Sequence, residues 1–174
     1  FMTEKQERIL ETALSLFAKD GFSATSTSKV AREAGVSEGL IFRHFENKEG
    51  LLNAILENGR QKLTVIFDSI HHLEEPKEIL RRVIELPLTI DEDQRPFWKL
   101  LYALKWQADV YDDSMSNPMK DILIPVFEAL NYHQPELESE LVMVLMDGMA
   151  SHILLKRSGN VEDIKELIFK KYDL

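Results

Sequence analysis

Apolar residues recur at three- and four-residue spacing along the 174-residue chain, and no stretch shows the sustained apolar/polar alternation of a half-buried strand. That periodicity restricts the fold to an all-α one. Ile9, Leu10, Ala13, Leu14 and Phe17 form the first stripe, and Gly21 supplies a stop, which predicts a helix from about residue 4 to 20. Thr25, Ser26 and Thr27 offer side-chain oxygens as an N-cap to a two-turn helix with Val30, Ala31 and Ala34 on its apolar face, ending at Gly35. Ser37 is read as the cap of a third short helix, with Glu38 in its first turn, running to Phe45. Asn47 then caps a long helix, from about 47 to 70, able to connect a small head to a larger body. Further on, Pro76, Pro96, Asn117-Pro118 and Pro135 each open a helix, Pro125 is expected to kink one, and Gly159-Asn160 precedes the last. About nine helices result: a three-helix head over residues 3–50 and a helical body over 51–174.

Charge and composition narrow what such a chain does. It contains no cysteine, so disulfides, thiolate zinc sites and cysteine nucleophiles are excluded, and a reducing cytoplasm fits. No basic segment followed by an apolar run marks a secretory leader, Phe1 reads as an extra residue ahead of Met2, and no stretch of 18 apolar residues suggests a membrane span. The net charge of −9 is unevenly spread. Residues 1–50 carry Lys5, Arg8, Lys19, Lys29, Arg32, Arg43 and Lys48 against eight carboxylates, so the head is close to neutral and the remainder is strongly acidic. An acidic body would suppress indiscriminate binding to DNA while a few placed cations in the head still bind it.

Two short helices joined by Ala34-Gly35-Val36-Ser37 fit a helix-turn-helix, in which a small-residue turn lets the third helix lie across the second with one face outward. Taken alone the same residues would also suit an ordinary αα-corner. The wider pattern is more specific: Ile9-Leu10, Ala13, Leu16-Phe17, Gly21-Phe22, Thr25-Ser26, Val30-Ala31, Ala34-Gly35-Val36-Ser37, Gly39, Phe42, His44-Phe45, Lys48 and Leu51-Leu52. Over these positions the chain resembles the head of TetR-like (tetracycline-repressor-like) bacterial regulators. The resemblance implies a nine-helix fold, double-stranded operator DNA as partner, and a homodimer formed by the last two helices. It implies that Thr25, Ser26 and Thr27 approach phosphates, that Ser37, Glu38, Gly39, Leu40, Arg43 and His44 lie on or beside the recognition helix, and that Lys48 is a further phosphate clamp. Arg43 is the candidate base reader, since a guanidinium can grip the O6/N7 edge of guanine; a plain phosphate contact is its alternative. The sequence departs from the family pattern at Phe42, where Tyr is usual, and at Leu40, where a small hydroxyl residue is common.

Beyond the head, Phe97, Leu100, Leu101, Leu104, Ala108 and Tyr111 project onto one apolar arc, with Trp98, Tyr102 and Trp106 opposite among Lys99, Lys105 and Asp109. That mixed face suits a cavity for a small apolar or aromatic ligand; the candidate lining is Phe67, Trp98, Tyr102, Lys105, Trp106, Met143 and Met146. Packing with the charges reaching outward is the alternative. The stretch from Leu141 to Leu155 is apolar nearly all round and must be covered on two sides, which points to a dimer interface through Leu141, Val144, Gly148, Leu155, Ile164 and Ile168. His71-His72 lack a third spaced ligand, and His152 and Asp147 have no nucleophile beside them, so neither a metal, a cofactor nor catalysis is expected. The expected function is a transcriptional regulator, a repressor released by a ligand; an activator, a co-repressor-dependent regulator, or a helical carrier or enzyme are the alternatives.

Overall fold

The computed structural model describes residues 2–105, 117–156 and 159–174. Among them the chain is all-α: α1 (Glu4–Asp20), α2 (Thr27–Ala34), α3 (Glu38–Phe45), α4 (Lys48–His71), α5 (Pro76–Glu85), a 3-10 turn (Leu86–Thr89), α6 (Arg95–Leu104), α7 (Asn117–Ala129), α8 (Pro135–Leu154) and α9 (Val161–Lys171). Two compact units arise, Phe1–Leu63 with Asp93–Tyr111, and Thr64–Glu92 with Asp112–Leu174.

In the first unit the apolar stripes of α1 to α4 meet. Ile9, Ala13, Phe17, Val30, Ile41, Phe45, Leu51 and Leu52 form its core, and Leu100 and Leu104 of α6, which lies against α1, complete it. Local signals set the helix ends. Thr3 and Gln6 make a capping box at the start of α1, in which each satisfies an otherwise unpaired donor of the other's backbone. Asn47 accepts from the Gly50 N–H at 2.7 Å and so caps α4. The turn after α2 is a Schellman motif: Gly35 takes the left-handed conformation (φ 65°, ψ 37°), and Val36 N–H donates to the Ala31 carbonyl at 3.0 Å. A side chain at Gly35 would be strained in that conformation, which fixes the angle at which α3 leaves α2.

A second glycine permits a close approach. Gly59 is buried, and a Cβ there would lie 2.1 Å from two ring atoms of Phe97, whose ring also meets Trp98 edge-on at 5.7 Å. Gly59→Ala should therefore destabilise the protein by about 1–3 kcal/mol despite the better helix propensity of alanine, as overpacking a filled site does. Urea unfolding reads the difference, and an unchanged midpoint would show that Phe97 can swing clear.

The second unit gathers Ile70, Leu80, Val83, Ile84, Leu123, Val126, Phe127, Val142, Met149, Ile168, Phe169 and Tyr172. Phe127, Tyr132 and Tyr172 stack as a cluster with centroids 5.1 to 6.0 Å apart. The buried Tyr172 hydroxyl donates to Glu138 Oε2 at 2.8 Å; burial, together with that carboxylate, raises the phenol's pKa far above its ordinary value. Pro125 lies inside α7. No helix among the described residues is long and apolar enough to cross a membrane, and no group of three or more His, Cys, Asp or Glu among them could hold a metal ion.

Candidate nucleic-acid interface

Helix α3 turns Ile41 and Phe45 into the core and presents Gly39, Phe42 and Arg43 outward. The spacing explains the division, because 39, 42, 43 and 46 fall on one side of a helix while 41 and 45 fall on the other. Phe42 is 47% exposed, although an aromatic ring gains most from burial. Arg43 is exposed, and among the described residues no hydrogen bond or ion pair engages it. Ser37 stands at the N-cap of α3 without a side-chain capping bond, contrary to the expected cap, and its carbonyl accepts from Leu40 N–H instead. Gly39 has open space around it, and Leu40 is half-buried against the core.

Other sequence-predicted residues are engaged within the unit, and their contacts hold α3 in place. His44 pairs through Nδ1 with Gln6 Nε2 at 3.2 Å. Lys48 Nζ donates to the Phe22 and Ser23 carbonyls at 3.0 and 3.4 Å and lies 4.5 Å from the centre of the Phe22 ring, so it closes the loop before α2. Thr25 is buried, and its hydroxyl donates to the Gly21 carbonyl at 2.8 Å. The cap of α2 is Ser26 instead, which accepts from Lys29 N–H. Thr27 donates to Glu38 Oε1 at 2.6 Å, linking the first residue of α2 to the first of α3.

Sequence reasoning passed over several residues that complete this arrangement. Arg8 Nε donates to the Ala34 carbonyl at 3.0 Å, satisfying the end of α2 from α1, and Lys29 pairs with Asp20 at 2.9 Å. Neither partnership has a sequence signature, since one acceptor is backbone and the other lies nine positions away.

The residues proposed for a ligand are divided between the units. Trp98, Tyr102 and Lys105 are half-buried in the first, with Lys105 Nζ 4.4 Å from the centre of the Tyr102 ring. Phe67, Met143 and Met146 edge the core of the second, and Trp106 lies outside the described residues. Of the proposed interface residues, Leu141, Val144, Gly148 and Leu155 are exposed and Ile164 is half-buried. Ile168 is buried in the core of its own unit, whereas its neighbour Leu167 is 68% exposed.

Residues 9–55 match the model of the bacterial regulatory proteins of the tetR family. An uncharacterized HTH-type transcriptional regulator of Bacillus subtilis, YerO, is 36% identical over 106 residues, which is 58% of this chain and 36% of that relative's length. Among solved structures, a regulator from Saccharomonospora viridis in complex with choline is 24% identical with a TM-score of 0.74, covering 97% of this chain and 95% of that one. NalD, the secondary repressor of the MexAB-OprM multidrug efflux pump in Pseudomonas aeruginosa, is 22% identical with a TM-score of 0.70, covering 97% and 94%. The chain thus resembles the bacterial regulatory proteins of the tetR family in sequence across residues 9–55, and its fold along nearly its whole length is similar to that of these solved regulators.

Proposed function

We propose that this protein is a DNA-binding transcriptional repressor that acts as a homodimer on a pseudo-palindromic operator and is released by a small apolar or aromatic ligand. The observation that carries the reading is the outward face of α3, where Gly39, Phe42 and Arg43 stand free while Gln6, Arg8, Thr27 and Lys48 brace the helices around it. A dimer sets two such faces about 34 Å apart, in successive major grooves. DNA reading is assigned to residues 3–50, with the sensing and dimerisation functions in the rest of the chain. The dimer is assigned to α8 and α9, where Leu137, Leu141, Val144 and Leu155 form an exposed row at helical spacing and Leu167 adds to it from α9. The half-buried aromatic side of α6, Trp98 and Tyr102 with Lys105, supports the ligand class. A mobility shift with the DNA flanking the protein's own gene tests the reading. A retarded complex with a two-fold symmetric footprint is expected; no complex at any concentration that saturates other repressors would overturn it.

Phe42 gives a modest second test. Its exposed ring lacks the hydroxyl that a tyrosine would offer to a phosphate, so Phe42→Tyr should tighten binding by roughly 0.5–1.5 kcal/mol. The gain should be equal on operator and unrelated duplex, because phosphate contacts carry no sequence information. No gain on either would mean that position 42 does not face the DNA backbone.

A further inference from the structure

Resting on the DNA-binding reading above, we infer that the Glu38 carboxylate is a built-in competitor of the DNA backbone: it occupies the Thr27 hydroxyl where a phosphate oxygen would sit, and so weakens binding to DNA of any sequence, leaving complexes without base contacts weakest. Thr27 is the first residue of α2, beside the unpaired N–H groups of that helix start, and α2 has no acidic residue in its own first turn. The negative charge there comes instead from Glu38, the first residue of α3, through a 2.6 Å hydroxyl–carboxylate bond in the short range of charge-assisted contacts. One half-buried carboxylate therefore serves the positive ends of both helices of the helix-turn-helix. Ser37, which could have capped α3, makes no such bond.

The charge that settles these helix ends in the free protein repels a phosphate brought to the same place. Lys29, two residues further along, is likewise held by a carboxylate of the chain itself, Asp20. Arg43, on the outward face of α3, has no such partner among the described residues. A phosphate contact carries no sequence information, so the cost of displacing or opposing Glu38 falls on every duplex alike; the operator complex bears it because base contacts from α3 are added, whereas complexes held by phosphate contacts alone are left weak. Glu38 on this account sets the absolute affinity for DNA: its repulsion keeps binding without base contacts weak.

The test is a fluorescence-anisotropy titration of the full chain against an unrelated duplex and the operator fragment, between about 50 and 200 mM salt. Glu38→Gln keeps an acceptor for Thr27 and removes the charge. It should bind the unrelated duplex and the operator alike about two- to fivefold more tightly at low salt, with a salt slope steeper by about one and an unaltered operator preference. Glu38→Asp, which keeps the charge, should show no such gain. Glu38→Ala also frees the hydroxyl, and adding Thr27→Val to it should take back part of its gain. An unchanged affinity, a gain independent of salt, or a gain untouched by Thr27→Val would overturn the inference. So would a loss confined to the operator, which would make Glu38 a base reader accepting from cytosine. Failure of every form to bind any duplex would overturn the DNA-binding reading and this inference together, whereas wild-type binding that Glu38→Gln leaves unaltered overturns the inference alone.

Discussion

Gly148→Arg is expected to convert the protein to monomers and, with them, to abolish high-affinity operator binding. Gly148 is exposed on α8, in step with Leu137, Leu141, Val144 and Leu155, and a Cβ added there meets nothing within 4 Å. The substitution is therefore harmless to the chain's own packing and even favours the helix, since glycine in a helix interior costs about 1 kcal/mol relative to alanine. Its whole cost falls on whatever covers the row. If that is the same row of a second copy, two guanidinium groups meet near the symmetry axis without partners. An uncompensated buried charge costs about 3–5 kcal/mol, which weakens dimerisation by roughly a hundredfold or more. Analytical ultracentrifugation at micromolar concentration reads this directly, and Gly148→Ala serves as the control that should remain dimeric. Leu167→Glu, on the most exposed apolar residue of α9, should act in the same direction. A dimer of unchanged affinity after Gly148→Arg would remove α8 from the interface.

How far the sequence could be read depended on whether a signal was local. Gly21, Gly35, Pro76, Pro135 and Asn160 mark helix ends through backbone chemistry that acts within a few residues, and the helices begin or end beside each of them. Three adjacent hydroxyls at 25–27, by contrast, cannot reveal which one caps: Ser26 does, Thr25 turns inward to the Gly21 carbonyl, and Thr27 reaches across to Glu38. Lys48 looked like a free cation because its partners are backbone carbonyls, which every residue possesses. On α9 the apolar positions 161, 164, 167, 168 and 172 spread over a broad arc, and a rotation of one residue exchanges Leu167 for Ile168 at the surface. The stripe of α6 was legible as core, but periodicity names a buried face without naming what buries it. That Leu100 and Leu104 join the core of the first unit is long-range information.

Arg43→Ala should cost about 1–3 kcal/mol per half-site on the operator, a loss of roughly five- to 150-fold, and should relax preference at one base pair in each half-site. The structure makes this substitution unusually clean. Arg43 is exposed on the outward side of α3, among the described residues it takes part in no ion pair or hydrogen bond, and Ile41 and Phe45 hold the helix without it. Thermal unfolding should accordingly be unaltered. Lys48→Ala is the opposing case, because Lys48 fastens the Phe22 and Ser23 carbonyls and covers the Phe22 ring. Its removal loosens the segment before α2 and should weaken all duplexes alike, with a lower unfolding midpoint. Titrations of both variants against the operator, a series of single-base-pair substitutions and an unrelated duplex, at one fixed salt concentration, separate the two roles. A guanidinium that reads guanine loses affinity only where guanine is present, since the O6/N7 pair of acceptors occurs on no other base in the major groove. Equal losses on operator and unrelated duplex, with a salt slope shallower by about one, would make Arg43 a phosphate anchor and leave base reading to the rest of the α3 face.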